Sequence, residues 1–318
     1  MAMFFSMAFI LLMGALARQG ISQSIPETDA KQSAPRISSQ TYRVSVDLVN
    51  IFCSVWDKKT NSFVTNLTQE AFTIYEDYRK QEIKNFIRET NLPLTLAFLI
   101  DTSESVAPKL KFEQEAAIAF FQSILREKDR GLLVEFNSGV DLLQDFTSDP
   151  NKLAKQIQSL RAAGGTALYD AIYDICDEKL IRETGRKAII ILSDGQDQSS
   201  KITFEQAYEM ALRAEATIYG ISVSQGGFFG VGGSYEGEGD RILKQLAEET
   251  GGRTFFPFKV EDLDDSFRQI NQELRSQYNI GYISNSARRD GGYRKIEIRL
   301  QEKGLDLNYR KGYFAPSE

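Results

Sequence analysis

Between Leu94 and about Ser276, short apolar runs alternate with segments whose apolar residues recur every three to four positions. That is the pattern of strands alternating with amphipathic helices. Strands are predicted at 94–100, 132–136, 140–146, 188–192, 217–223 and 254–258, and helices at about 108–126, 150–161, 167–182, 203–215, 240–250 and 261–275. The first helix shows its apolar face in Ala117, Phe120, Phe121, Ile124 and Leu125, with Pro108 in its opening turn. Leu94–Ile100 and Ala188–Leu192 are apolar on both faces, as strands are when helices cover a sheet from both sides. The pattern predicts an α/β fold over residues 92–276, a doubly wound and mostly parallel six-stranded sheet.

On either side of this region the period is two. Tyr42, Val44, Val46 and Leu48 alternate, Ile51–Trp56 is β-rich, Lys59-Thr60-Asn61 is a turn, and Phe72, Ile74 and Tyr75 lead to a Glu76-Asp77 corner and to Ile83, Phe86 and Ile87. After Gln277 come Tyr278–Ile283, a turn at Asp290-Gly291-Gly292, Arg294–Leu300, a turn at Gly304, Leu305–Tyr309 and Tyr313-Phe314. Neither piece is large enough to bury a face alone. Residues 41–91 and 277–318 are therefore expected to form one discontinuous β-sandwich of the immunoglobulin or fibronectin kind, about seven strands, with the α/β domain inserted in it.

The N-terminus differs from both. Met3–Leu16 is an apolar run of 14 residues, followed by the small-x-small site Ala15-Leu16-Ala17. It reads as a signal peptide over 1–24, cleaved near 17–24, although no Lys or Arg precedes it; uncleaved, it would be an N-terminal anchor. The run falls short of the roughly 20 residues of a membrane-spanning helix, so no span is expected in the mature chain. Residues 25–40, rich in Ser and Gln and holding two prolines, read as a linker. Export would make the protein secreted, periplasmic or cell-surface.

Composition narrows the chemistry. The 318 residues include no histidine, which excludes Ser-His-Asp and Cys-His catalysis and histidine zinc sites. A net charge of −6 argues against nucleic-acid binding, which shows as a basic patch or stripe. Cys53 and Cys176 are too few for a disulfide framework and read as buried, unpaired small hydrophobes. Any chemistry falls to oxygen ligands.

Such ligands gather at strand ends. Leu96–Ile100 runs into Asp101-Thr102-Ser103-Glu104-Ser105, and Ile189–Leu192 into Ser193-Asp194-Gly195. Both lie at the carboxyl ends of strands, the edge where open α/β sheets bind ligands. A third segment, Ala163-Gly164-Gly165-Thr166, sets a threonine at the mouth of a helix. Two carboxylates and three hydroxyls suit a magnesium ion, which takes about six hard oxygens and keeps some of its waters. Taken singly, Ser105 and Thr166 read as helix caps and Asp194-Gly195 as a turn. Caps and turns do not require the whole set together.

The DTSES, GGT and SDG segments, in that order on those elements, resemble the von Willebrand factor type A (VWFA) domain and its metal-ion-dependent adhesion site over about 180 residues. The resemblance implies that Asp101, Ser103, Ser105, Thr166 and Asp194 hold a divalent cation, Mg²⁺ or else Mn²⁺ or Ca²⁺, which grips an Asp or Glu carboxylate of a protein partner. Glu104, Asp170 and Asp197 are nearby acids expected behind or outside that set. The whole chain also resembles VWFA-related proteins abundant in acidobacterial genomes, in VDLVNIFCSVWD before the domain and GYFAP at the end.

The function implied is a non-enzymatic binding or adhesion module. Two alternatives stand beside it. A magnesium-dependent phosphotransferase of the haloacid-dehalogenase kind would carry a second Asp where Ser103 stands. An adaptor for an ATPase or a secretion assembly is the other; the chain itself has no Walker G-x-x-x-x-G-K-[ST]. Finally, Gln225–Asp240 holds seven of the 23 glycines, with Phe228, Phe229 and Tyr235 among them. It reads either as a recognition loop with aromatic anchors beside the metal or as an insertion without a role. It is not a dinucleotide loop, since Tyr235 occupies the third glycine position of G-x-G-x-x-G.

Overall fold

The computed structural model describes residues 48–89, 92–224, 237–286 and 288–317. The expected signal peptide, the linker and Tyr42, Val44 and Val46 lie outside the described residues. Strands β1 (Leu48–Asp57), β2 (Phe72–Glu76), β3 (Arg79–Gln81) and β4 (Ile83–Glu89) come first. The α/β region follows as β5 (Leu94–Asp101), α1 (Leu110–Ile124), β6 (Arg130–Phe136), β7 (Val140–Thr147), α2 (Pro150–Ser159), α3 (Leu168–Glu178), β8 (Arg186–Ser193), α4 (Phe204–Arg213), β9 (Ala216–Ser222), α5 (Glu238–Thr250), β10 (Thr254–Phe255) and α6 (Val260–Leu274). Strands β11 (Gln277–Ile283), β12 (Tyr293–Leu300), β13 (Leu305–Tyr309) and β14 (Gly312–Phe314) close the chain.

The central sheet has six strands in the order β10-β9-β8-β5-β6-β7. All neighbours are parallel except β7, which turns back antiparallel on β6 through Asn137–Gly139. Strands β5 and β8 are buried at every position, and their alternation divides them between two cores. Leu94, Leu96, Phe98 and Ile100 with Ala188, Ile190 and Leu192 pack under α1, α2 and α6. Ala97 and Leu99 with Ile189 and Ile191 pack under α3, α4 and α5. Each such fully buried aliphatic side chain contributes about 1.5–3 kcal/mol, which is why the two strands sit at the middle of the sheet. Both cysteines are free and buried, as expected, and burial pushes their thiols up.

Three expectations need correction at their boundaries. The strand predicted to 258 stops at Phe255, since Pro257 has no N–H to continue a ladder. The helix predicted over 167–182 ends at Glu178 and gives way to a 3₁₀ turn at Leu180–Arg182. The first helix begins at Leu110, so Pro108 precedes it, after a 3₁₀ turn at Glu104–Val106.

The flanking strands form two four-stranded sheets, β13-β1-β11-β4 and β14-β12-β2-β3. Each mixes strands from before and after the α/β region: β1 pairs with β11 and β13, β4 with β11, and β2 with β12. Both sheets contribute to one apolar cluster, Val49, Ile51, Cys53 and Val55 of β1 meeting Ile74, Tyr278, Ile280, Tyr282, Ile296 and Ile298. Apolar burial in β1 therefore runs on odd positions; Leu48 is exposed beside the similarly exposed Ile283, its cross-strand partner. Among the described residues of 48–89, the one strand ladder within the segment is β2 with β3, beside a single Trp56–Phe63 bridge. A fragment of residues 41–90 is accordingly expected to be unfolded by circular dichroism, and a cooperative thermal transition would contradict it. Among the described residues, no helix is long and apolar enough to cross a membrane.

Candidate functional site

Strands β5 and β8 are hydrogen-bonded neighbours, with Ile100 opposite Leu192. Their carboxyl ends therefore set Asp101 beside Ser193 and Asp194. The Asp101 carboxylate is fully buried; Oδ1 accepts from the Ser103 amide at 2.8 Å and Oδ2 from Ser193 Oγ at 2.6 Å. Ser103 Oγ lies 2.9 Å from Ser105 Oγ. Ser103 is buried and Ser105 exposed, so the pair spans from the sheet edge to solvent. The loop carrying Thr166 is tied to the first loop by backbone, Ala163 N donating to Thr102 O at 2.7 Å and Glu104 N to Gly164 O at 3.1 Å. Thr166 itself is buried, and its carbonyl accepts from the Gln198 and Ser199 amides, both at 3.0 Å, which bind it to the loop after Asp194.

Neither hydroxyl read as a possible cap acts as one. Lys109 and Ala167 stand at the N-caps of α1 and α3, without side-chain cap bonds. The first amides of α3 are met from another loop, Tyr169 N by Asp197 Oδ2 and Asp170 N by Ser200 Oγ, each at 3.0 Å. Asp170 in turn accepts from the Lys201 and Ile202 amides at 2.9 Å. Asp197 and Asp170 thus hold loops in place, and Glu104 is exposed. Asp194, partly exposed, accepts from the Gln196 amide at 3.1 Å. Gly195 follows it with φ of +75°, and a Cβ there would meet the Gly239 carbonyl oxygen at 2.2 Å. Only glycine lets that loop turn so close to the start of α5.

Burial sets the protonation of Asp101. Burial pushes its carboxyl up to about 6; the hydrogen bonds from Ser193 and Ser103 oppose this, and the nearby Asp194 charge adds to it. At the start of α1 lie two buried residues that the motif does not name, the N-cap Lys109 and Glu113. The Lys109 ammonium donates to the Val223 carbonyl just beyond β9. Neither Glu113 oxygen has a hydrogen-bond partner among the described residues. The sequence signal for Glu113 was its place on the helix's buried stripe, between Leu110 and Ala117.

The donor set suits a hard divalent cation: carboxylate and hydroxyl oxygens only, with hydroxyls not engaged in capping. Among the described residues no three acidic or thiol side chains converge as ligands, so a cation here would draw on Ser103, Ser105 and Thr166 as well as Asp101 and Asp194. Phe228, Phe229 and Tyr235 lie outside the described residues.

A doubly wound sheet with carboxylates and hydroxyls on adjoining loops at its carboxyl edge defines a class of α/β binding domain. The family model of the von Willebrand factor type A domain matches residues 96–196, from within β5 to just past Gly195, a span that takes in all five candidate ligands. Over that span the chain carries a VWFA domain. An uncharacterized protein of Borreliella burgdorferi is 23% identical over 211 residues, 62% of this chain and 57% of the relative, so the match spans little more than half of that protein's length. Similar solved structures include an aerotolerance-related membrane protein of Bacteroides fragilis (16% identity, TM-score 0.45, 57% of this chain and 98% of the other). Others are the vWF domain of the type V pili tip protein Mfa5 from Porphyromonas gingivalis (15%, 0.45, 59% and 96%) and proximal thread matrix protein 1 of the mussel byssus with a zinc-occupied MIDAS motif (15%, 0.49, 63% and 49%).

Proposed function

We propose that this chain is an exported, non-enzymatic VWFA-domain binding protein. Asp101, Ser103, Ser105, Thr166 and Asp194 would hold a divalent cation, Mg²⁺ in the first instance, and the cation would accept an Asp or Glu carboxylate of a protein partner. The observation that carries this reading is the gathering of a buried carboxylate, a second carboxylate and uncapped hydroxyls at one sheet edge. When bound, the ion supplies an electrophilic centre that so few protein anions do not neutralise. The two flanking sheets are read as one sandwich with the α/β domain inserted, residues 41–91 and 277–318 around 92–276. The wider resemblance to acidobacterial VWFA-related proteins belongs to this reading, β1 carrying most of VDLVNIFCSVWD and β14 the GYF of GYFAP. The apolar run at Met3–Leu16 supports export to the envelope or beyond.

The test is capture from a native envelope fraction on the immobilised protein. Partners retained in Mg²⁺ and released by EDTA are expected; retention indifferent to EDTA would contradict the reading. The state of Asp101 adds a pH signature. Proton and cation compete for one carboxylate, so apparent Mg²⁺ affinity should weaken as pH falls through about 6. Without metal the sign reverses. From about pH 6 down to its ordinary range near 4, the folded chain holds a proton that the unfolded chain has released, so stability rises as pH falls through that window. Calorimetric titrations at pH 5 and 7.5 check the first expectation and urea melts the second.

A further inference from the structure

Strand β4 ends its sheet, and among the described residues its outer edge has no backbone partner. Such an edge invites another strand, and proteins blunt it with charge or with a bulge. In β4 the blunting is confined to one end. At the Ile83 end the register with β11 slips between Gly281 and Tyr282, and Lys84 pairs with Glu82 at 2.6 Å. From Asn85 to Glu89 the ladder is regular, and Ile87 is 45% exposed. The face opposite Ile87 carries Phe86 and Arg88, two positions apart. The Phe86 ring centroid lies 5.4 Å from that of Phe72 and 5.6 Å from that of Tyr278. The exposed Arg88 guanidinium donates to the Thr65 carbonyl at 3.3 Å. Two cavities share Arg88 as a wall. One, of about 400 Å³, is lined by Phe86, Leu67 and the exposed loop Thr68–Glu70. The other, of about 360 Å³, is lined by Thr65, Ser276, Gln277 and Tyr278, with Arg88 its one charged residue among the described residues.

We propose that the Asn85–Glu89 end of β4 is a docking edge for an extended segment of a protein partner, one carrying an apolar residue and, two positions from it, an Asp or Glu. None of the residues involved is a candidate cation ligand, so the inference stands apart from the metal reading. An added strand pairs with the free backbone groups of β4 at about 4.8 Å. Its residues opposite Phe86 and Arg88 fall on one face, because side chains alternate along a strand. The first meets Phe86 and Leu67. The second meets the Arg88 guanidinium, whose hydrogen bond to a carbonyl leaves its charge without a carboxylate among the described residues. Charge complementarity selects an acid at that position. Glu70, on the loop beside the first cavity, repels an acid there and leaves that position to an apolar side chain.

The experiment pans a phage-displayed library of random nine-residue peptides against the immobilised full chain in EDTA, which silences the cation site. Enriched peptides are expected to share an apolar residue and an Asp or Glu two positions away. A synthetic peptide of that consensus is then titrated into wild type and Arg88→Gln, with thermal melts to check that the exposed substitution leaves the fold intact. Arg88→Gln should bind about tenfold more weakly, and panning on it should lose the acidic preference while keeping the apolar one. N-methylation of the peptide backbone should abolish binding at alternate positions and be tolerated between them, the signature of a strand paired along one edge. No enrichment over an unrelated protein, equal affinity for both chains, or N-methylation effects without alternation would overturn the proposal. So would a dimer of the wild-type chain in EDTA that Ile87→Lys converts to monomer, since a second copy would then fill the edge. Every one of these outcomes leaves the cation reading untouched, because no metal is present.

Discussion

Replacing Arg253 with methionine should destabilise the fold by about 3–5 kcal/mol, the cost of leaving a buried carboxylate without its partner. Arg253 Nε lies 2.7 Å from Glu273 Oε2, and the Glu273 side chain is 0% exposed. The carboxyl sits on α6, where burial pushes it up even as Arg253 opposes the rise. The guanidinium also faces three rings, Trp56, Phe63 and Phe255, at 5.1 to 5.8 Å from their centroids. Because Trp56 belongs to β1 and Phe255 to β10, one side chain ties the flanking sheet to the α/β region. Methionine keeps much of the apolar stem and removes the charge, so what remains is a buried Glu273 without its cation, with Asn308 Nδ2 donating to Oε1 at 3.5 Å. The double variant Arg253→Met/Glu273→Leu should recover most of the loss, because removing both charges also removes the desolvation cost. Urea melts of the three proteins measure the difference; a single variant within 1 kcal/mol of wild type would refute the assignment.

Periodicity made the α/β region legible because β5 and β8 are buried on both faces and the helices between strands on one. Two cores on either side of one sheet leave a plain mark in sequence. The flanking strands left a weaker one. Alternation grouped Leu48 with Tyr42, Val44 and Val46, yet the described strand buries Val49, Ile51, Cys53 and Val55 instead, since period two does not say which phase faces inward. Pairing of β1 with β11 and β13 joins residues more than 200 positions apart, and no local pattern encodes such a partner.

The candidate site divides in the same way. Asp101, Ser103, Ser105, Thr166 and Asp194 stand out because their types and spacing form a motif. Ser193, whose hydroxyl donates to Asp101 and accepts from the Gly195 amide at 3.0 Å, stands in the SDG segment, but nothing in the sequence marks it as a partner of Asp101. Gly195 reads as a turn, and its close approach to Gly239 depends on a contact across 44 residues. Glu113 did leave a signal, an acid on an apolar helical stripe.

The largest functional effect is expected at Asp101. Alanine there removes the one fully buried carboxylate at the sheet edge, and with it the acceptor for Ser193 Oγ and the Ser103 amide. The hydroxyls that remain are neutral, and Asp194 alone offers a divalent ion one negative charge where two were present. Loss of a charged ligand is then expected to reduce affinity by more than 100-fold, about 2.7 kcal/mol or more. The fold should persist: relief of a buried carboxylate that burial and Asp194 hold near 6 offsets the two lost hydrogen bonds. Calorimetric titration of Mg²⁺ into wild type and Asp101→Ala at pH 7.5 tests the central claim most directly. Saturable binding by wild type, absent from an Asp101→Ala protein that still melts cooperatively, is the predicted result; Mg²⁺ uptake undiminished in the variant would contradict it.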